Sequence, residues 1–246
     1  MLRTNPSKQW ERFVREDPYY GVIAREEMRS GPDPEARARF FASGEELVDS
    51  VLERVRALEP GFEPRRVLDY GCGVGRLVIP FAQRAGSVVG IDVAPSMLEE
   101  AANNARAHQL GNVQFLGVDG VDGLEPDFDL VHSALVLQHI PVRQGERVIA
   151  RLVELLRPGG VGVLHFQIGA RRGLRAYNAL MRVALVHNLA NVRRRRPWSY
   201  PHMEMYIYDL GRVSLILRDQ GISDLSVELA ERLGGFDACT LLFRRS

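Results

Sequence analysis

The chain has little of what builds a scaffold by covalent or metal bonds. Its 246 residues include only two cysteines, Cys72 and Cys239, which excludes a disulfide framework or a zinc cluster and points to a reducing cytoplasm. No group of carboxylates and histidines has ligand-like spacing, so no metal is expected. Lysine is almost missing, with Lys8 the single example among 32 basic residues. Against 31 acidic residues these leave a net charge of +1, so nothing draws the whole chain toward nucleic acid or an anionic membrane. No apolar run reaches bilayer-spanning length. Arg3, Lys8, Glu11 and Arg12 leave the first residues without the apolar core of a signal peptide. What remains, at 46% hydrophobic and 26% charged residues, is the composition of one large globular domain or a domain with appendages.

The most informative stretch is Val67-Leu68-Asp69-Tyr70-Gly71-Cys72-Gly73-Val74-Gly75-Arg76-Leu77. A short apolar run ends in a carboxylate, three alternating glycines follow, and a helix-like pattern opens at Leu77. Such a strand, tight turn and helix lets a nucleotide-like ligand lie against bare main chain. Dinucleotide sites use G-x-G-x-x-G. Here the spacing is G-x-G-x-G, and Arg76 stands where the third glycine of that fingerprint would be. Asp69 would oppose an anionic pyrophosphate but suits a ligand carrying an ammonium and a sulfonium.

Further along, apolar runs alternate with helical periodicity. Strands are expected at the glycine motif, over 87–92, 113–118, 128–133 and 161–168, and after 223 and 238, with helices over 95–105, 143–157 and 209–220. Ser43-Gly44-Glu45-Glu46 reads as a capping box opening a helix that ends at Pro60-Gly61. Residues 169–210 interrupt the alternation: Leu174, Tyr177, Leu180, Met181, Ala184, Leu185 and Leu189 share one helical face, suited to core packing or to a homodimer. The expectation is an α/β, doubly wound sheet. Residues 1–42 form an N-terminal helical accessory segment or lid, 43–246 the main domain, and 169–210 a helical insertion after strand five that caps the substrate.

The pattern D-x-G-x-G-x-G resembles the first motif of class I (Rossmann-like) S-adenosylmethionine-dependent methyltransferases. Asp92-Val93-Ala94-Pro95-Ser96-Met97-Leu98 resembles their second motif, Phe128 to Pro141 their fourth-strand motif, and Leu155-Leu156-Arg157-Pro158-Gly159-Gly160 the segment before their fifth strand. The resemblance covers about residues 64–168. It implies a seven-stranded, mostly parallel sheet with an antiparallel last strand. It also implies S-adenosylmethionine as cofactor, bound by Asp69, Gly71, Gly73, Gly75 and Ser133, with Asp92 on the ribose hydroxyls, Val93 and Met97 on the faces of the adenine, and Asp119 and Gly120 at its edge. Met97 alternatively reads as plain helix core. Phe40-Phe41-Ala42-Ser43-Gly44 resembles the entry to the cofactor site, where a helix beginning at Ser43 would offer amides to the cofactor carboxylate.

Methyl transfer needs positioning and exclusion of water more than it needs a base. His139, just past the fourth strand, is the candidate general base, the alternative being a structural histidine bonded to main chain. Tyr20, His165, His202 and Tyr206 are candidates for the substrate wall. The expected function is methylation of an oxygen or nitrogen on a small-molecule acceptor. The alternatives are an NAD-dependent oxidoreductase of Rossmann type and a non-catalytic protein that binds S-adenosylmethionine. Nucleic acid is not the expected acceptor: the fourth strand lacks the N/D-P-P-Y and Pro-Cys signatures of base-modifying enzymes. The run Arg193-Arg194-Arg195-Arg196 reads as a solvated corner.

Overall fold

The computed structural model describes residues 6–181, 184–193, 198, 204–233 and 235–246. An N-terminal helical segment, α1 (Pro6–Glu16) and α2 (Pro18–Val22), precedes the long α3 (Pro34–Leu58). Then β1 (Arg66–Tyr70), α4 (Val78–Ala82), β2 (Ser87–Asp92), α5 (Pro95–Ala107), β3 (Val113–Gly117), β4 (Phe128–Ser133), α6 (Val142–Glu154) and β5 (Leu156–Ala170) alternate. After β5 come α7 (Arg172–Met181), α8 (Ala184–Arg193), α9 (Leu210–Asp219), β6 (Leu225–Leu233) and β7 (Phe236–Arg244). The strands form one seven-stranded sheet in the order β3-β2-β1-β4-β5-β7-β6. Pairings from β3 to β5 are parallel, and β7 runs antiparallel to both β5 and β6.

The strand sequences explain why the sheet is covered on both sides. Parallel strands with helices on both faces read as continuous apolar runs, and successive side chains go to opposite layers. Val67, Val88, Leu130 and Val163 join the layer with α3 and α4. Leu68, Val89, Val131, Leu164 and Phe166 join the layer with α6 and α9. A third cluster, with Val14, Tyr19, Met28, Phe40 and Met97, fastens the N-terminal segment to α5. Polar ties reinforce it: the Tyr19 hydroxyl donates to Glu100 Oε1 at 2.6 Å, and Glu11 Oε2 accepts from Ser96 Oγ at 3.0 Å. At the opposite end of the strands, the buried Asp129 accepts from the amides of Arg65 and Arg66 at 3.0 and 2.7 Å and from Arg157 Nε at 2.5 Å.

Two local expectations are corrected. Ser43 does not start a helix, because α3 begins nine residues earlier, with Asp33 as N-cap accepting from the Ala36 amide and Pro34 in the first turn. The Ser43 hydroxyl instead donates back to the Phe40 carbonyl at 2.7 Å, so no free amides stand there to meet a cofactor carboxylate. The single apolar face expected over 171–192 is likewise not uniformly buried. Met181 is 7% exposed, but Leu180 and Leu189 are 52% and 55% exposed. Of the arginine run, Arg194 to Arg196 lie outside the described residues, as does His202.

Candidate functional site

The carboxyl ends of β1, β2 and β4 open into a cavity of about 940 Å³, roofed by the N-terminal segment and closed at one side by residues 204–206. The site lies where a doubly wound sheet places its ligands, in the crevice beside strands that diverge to either side.

The glycine turn forms the floor. Gly71 and Gly73 line the cavity with φ of +82° and +53°, a region that costs other residues about 1–2 kcal/mol. The Gly71 and Cys72 amides both reach the Ile91 carbonyl, at 2.7 and 2.9 Å, binding the turn to β2. A Cβ on Gly71 would lie 2.1 Å from Val136 Cγ2, and one on Gly73 would lie 2.7 Å from Val22 Cγ2. Gly75 has another duty: it does not line the cavity, and it faces Ala101 of α5, where a Cβ would lie 3.5 Å away. This departs from the expectation that all three glycines form the ligand cradle.

Two acids flank the floor. Asp92, 6% exposed at the tip of β2, accepts from the Gly73 amide through Oδ2 and the Ala94 amide through Oδ1, both at 2.9 Å. Burial raises its pKa above the ordinary carboxylate value, while the amides of Ala94, Gly73 and Val93 pull it back down. Each oxygen retains a lone pair for a further donor. Asp69 is paired with His132, Oδ1 to Nδ1 at 2.8 Å, with both side chains buried. Val93 and Met97 also line the cavity, and Met97 is only 1% exposed because it packs under the N-terminal segment.

Several expected residues lie elsewhere. Ser133 is fully buried and donates to the Tyr70 carbonyl at 2.9 Å, tying β4 to β1 behind the cavity wall. Asp119 is exposed, and neither it nor Gly120 lines the cavity; their neighbour Val118 does. Both sit in a 3-10 turn, Val118–Gly123, that begins immediately after β3 and turns the chain away. Tyr20 is covered by the Arg29 guanidinium, 3.9 Å from its ring centre, and is not part of the lining. His165 is also outside the lining, facing Thr240 across the β5–β7 register. Its fellow on the same strand face, Gln167, does line it.

His139 is in place. It lines the cavity, its ring lies 5.0 Å from that of Trp10, and Nδ1 is 3.1 Å from the Glu204 carbonyl. A carbonyl only accepts, so Nδ1 carries the proton and Nε2 is an acceptor. Burial lowers its pKa to about 4, with the bond to Glu204 opposing. His139 is therefore neutral across the physiological range and a weaker base than a free imidazole. Tyr206 lines the cavity as expected, its hydroxyl donating to Glu204 Oε2.

Other lining residues carried no sequence signal of their own. Arg76, noted only as an obstacle to dinucleotide binding, is 7% exposed, lines the cavity beside Asp69, and donates to the Ser43 carbonyl at 3.2 Å. Burial lowers its pKa, and the Asp69 charge works against that shift. Leu135, at the end of β4, lines the cavity with φ +63°, a strained backbone for a branched residue. Trp10 and Phe236 arrive from the two ends of the chain, so no local motif marks them. Among the described residues there is no group of three or more potential metal ligands, and no helix is long and apolar enough to cross a membrane.

Residues 67–160 match the family model described as a methyltransferase domain. An uncharacterized methyltransferase of Synechocystis is 35% identical over 127 residues, 52% of this chain and 57% of that protein. The trans-aconitate 2-methyltransferase of Deinococcus radiodurans is 39% identical over 109 residues, 44% of this chain and 40% of that protein. The chain thus spans about half the length of these relatives. The crystal structure of magnesium protoporphyrin IX methyltransferase from Synechocystis PCC 6803 with bound SAM superposes with a TM-score of 0.62 at 20% identity, covering 100% of both chains; at that identity the likeness is one of fold. With the sheet order and the acid-flanked glycine turn, these matches identify a methyltransferase domain at residues 67–160 within a fold of the class I, Rossmann-like methyltransferase kind. S-adenosylmethionine is the cofactor of methyltransferases of this fold, and the residues present fit it: main chain without side chains at Gly71 and Gly73, and buried carboxylates at Asp69 and Asp92 lining the same cavity.

Proposed function

We propose that this protein transfers a methyl group from S-adenosylmethionine to an oxygen or nitrogen of a small-molecule acceptor. The observation that carries the reading is that the glycine and acid cradle and the wall bearing Trp10, His139, Tyr206 and Phe236 belong to one cavity. At about 940 Å³ it stands near the top of the range of about 300–1,000 Å³ for a single ligand site, which suits a cofactor and an acceptor side by side. When bound, S-adenosylmethionine would supply a methyl group activated on a sulfonium, which would be left as a thioether once the methyl passed to the acceptor's lone pair, the X–H proton going to water or a neighbouring acceptor.

The chain's own residues then have distinct tasks. Asp92 takes the ribose hydroxyls through the lone pairs that the Gly73 and Ala94 amides leave open. Val93 and Met97 supply apolar surface for the adenine, Asp69 faces the cationic end, and Arg76 offers a buried cation for a carboxylate. His139, neutral and with Nε2 unprotonated, orients the acceptor's X–H rather than serving as a strong base. Residues 1–42 act as a lid, and 169–210 as a cap whose 204–206 end forms part of the acceptor wall. His202 belongs to that cap in sequence only. A cytoplasmic, non-membrane enzyme is the setting this reading supports.

The test is transfer of labelled methyl from S-adenosylmethionine into a fractionated metabolite extract. Label in a low-molecular-weight product supports the reading. Tight cofactor binding without transfer to any fraction would make the protein a non-catalytic binder instead.

A further inference from the structure

Asp69 and His132 stand side by side on two central strands. β1 and β4 run parallel, with Val67 beside Leu130 and Asp69 beside His132, so both pairs point to the layer of α3 and α4. Val67 and Leu130 belong to the apolar cluster of that layer. Two residues further on, the same face carries a carboxylate and an imidazole, each 2% exposed. Asp69 lines the cavity and His132 does not. The Phe81 ring of α4 covers His132, at 60° and 5.4 Å between ring centres. The methyltransferase reading gives Asp69 a task and leaves its buried neighbour without one.

The two oxygens of Asp69 differ. Oδ1 lies 2.8 Å from His132 Nδ1. A carboxylate only accepts, so Nδ1 carries the proton. Among the described residues no other hydrogen bond or ion pair reaches Asp69. Oδ2 has no protein donor, yet it is not one of the five buried side-chain polar atoms without a partner. It therefore keeps an open surface, and the space beside Asp69 is the cavity. One oxygen is committed to the wall behind, and the other is offered to a ligand.

A buried carboxylate needs such a donor. The charged groups near Asp69 are Arg76 and the Asp92 carboxylate, and the Arg76 guanidinium is turned to the Ser43 carbonyl at 3.2 Å. Without the imidazole, Oδ1 would be left buried with no donor, and rotation of the carboxylate toward Arg76 would relieve it. That rotation would draw Oδ2 away from the cavity and occupy the Arg76 charge as well. An aliphatic residue, the ordinary occupant of a covered parallel strand, would therefore suit the layer and impair the site.

We propose that His132 is a positioning residue: its Nδ1–H fixes Asp69 Oδ1 so that Oδ2 faces the cavity, and this gives the protein its preference for a ligand bearing an ammonium beside the thio-nucleoside. The proposal rests on the methyltransferase reading. His132 touches no ligand itself and acts only through Asp69.

Calorimetry tests this with S-adenosylhomocysteine and its deaminated analogue, which keeps the thio-nucleoside and the carboxylate and lacks only the ammonium. The parent protein is expected to favour S-adenosylhomocysteine by at least about tenfold, the scale of one charge-assisted hydrogen bond. His132→Leu has no donor and is expected to lose that preference while binding the analogue as the parent does. His132→Val, a β-branched residue suited to a strand, gives the same reading should the leucine variant not fold. His132→Asn sets an amide nitrogen at the δ position of Nδ1 and is expected to restore the preference. A parent without the preference, donor-free variants that weaken both ligands equally or neither, or an asparagine variant that behaves as the valine one would overturn the proposal. Binding of neither compound by the parent would instead remove the underlying methyltransferase reading, and this proposal with it.

Discussion

Asp92→Ala separates ligand binding from folding. The carboxylate receives two main-chain amides at 2.9 Å and lines the cavity. In the bound state it is assigned two ribose hydroxyls. Hydrogen bonds to a charged group contribute about 1.5–3 kcal/mol each, so losing both removes about 3–6 kcal/mol, roughly a hundredfold or more in dissociation constant. The same change strands the Gly73 and Ala94 amides, at about 1–3 kcal/mol apiece. Relief from burying a carboxylate whose pKa is raised by desolvation offsets part of that second loss. Calorimetric titration with S-adenosylhomocysteine reads the first effect, and denaturant unfolding reads the second. Asp119→Ala, at an exposed position outside the cavity lining, is the matched control and should change affinity by no more than about tenfold, the scale of one solvent-exposed hydrogen bond. A variant Asp92→Ala that binds as tightly as the parent would refute the placement of the ribose.

Further outcomes follow from the same geometry. Gly71→Ala should lower stability by about 2–4 kcal/mol from left-handed strain and the clash with Val136, partly recovered by adding Val136→Ala, whereas Gly75→Ala meets only ordinary contact at 3.5 Å and should lose about 1–2 kcal/mol. Denaturant titrations of the four proteins check this. His139, lowered to about 4 by burial, binds fewer protons folded than unfolded between that value and its ordinary 6.5. Its contribution to stability is therefore present above 6.5 and lost as pH falls toward 4, and His139→Gln should flatten the unfolding profile over that window. Asp129→Ala strands the Arg65 and Arg66 amides and the Arg157 side chain; it should cost about 3–5 kcal/mol of stability while S-adenosylhomocysteine affinity stays unchanged.

Much of this fold was legible because local and tertiary signals agree. β2 and β4 were bounded to the residue by apolar runs that end in Asp92 and Ser133, and the glycines marked the tight turn on the floor of the cavity. The signals failed where long-range packing decided the outcome. Ser43 and Glu46 make a good capping box, yet Asp33 and Pro34 cap better and Phe40 gains burial in the third cluster, so the helix runs through. Gly75 has the same spacing as its neighbours but serves helix packing. His165 and Gln167 share a strand face, yet only Gln167 lines the cavity, a difference that strand periodicity does not carry. Trp10 and Phe236 come together from opposite ends of the chain, a proximity that no window of sequence contains.

The central claim is that the carboxylates and the side-chain-free glycine turn here enclose a cationic thio-nucleoside and not a pyrophosphate. Thermal unfolding of the intact protein with S-adenosylhomocysteine and, separately, with NAD tests it most directly. A clear saturable rise in melting temperature with the former and none with the latter is predicted; stabilisation by NAD, or by neither compound, contradicts it.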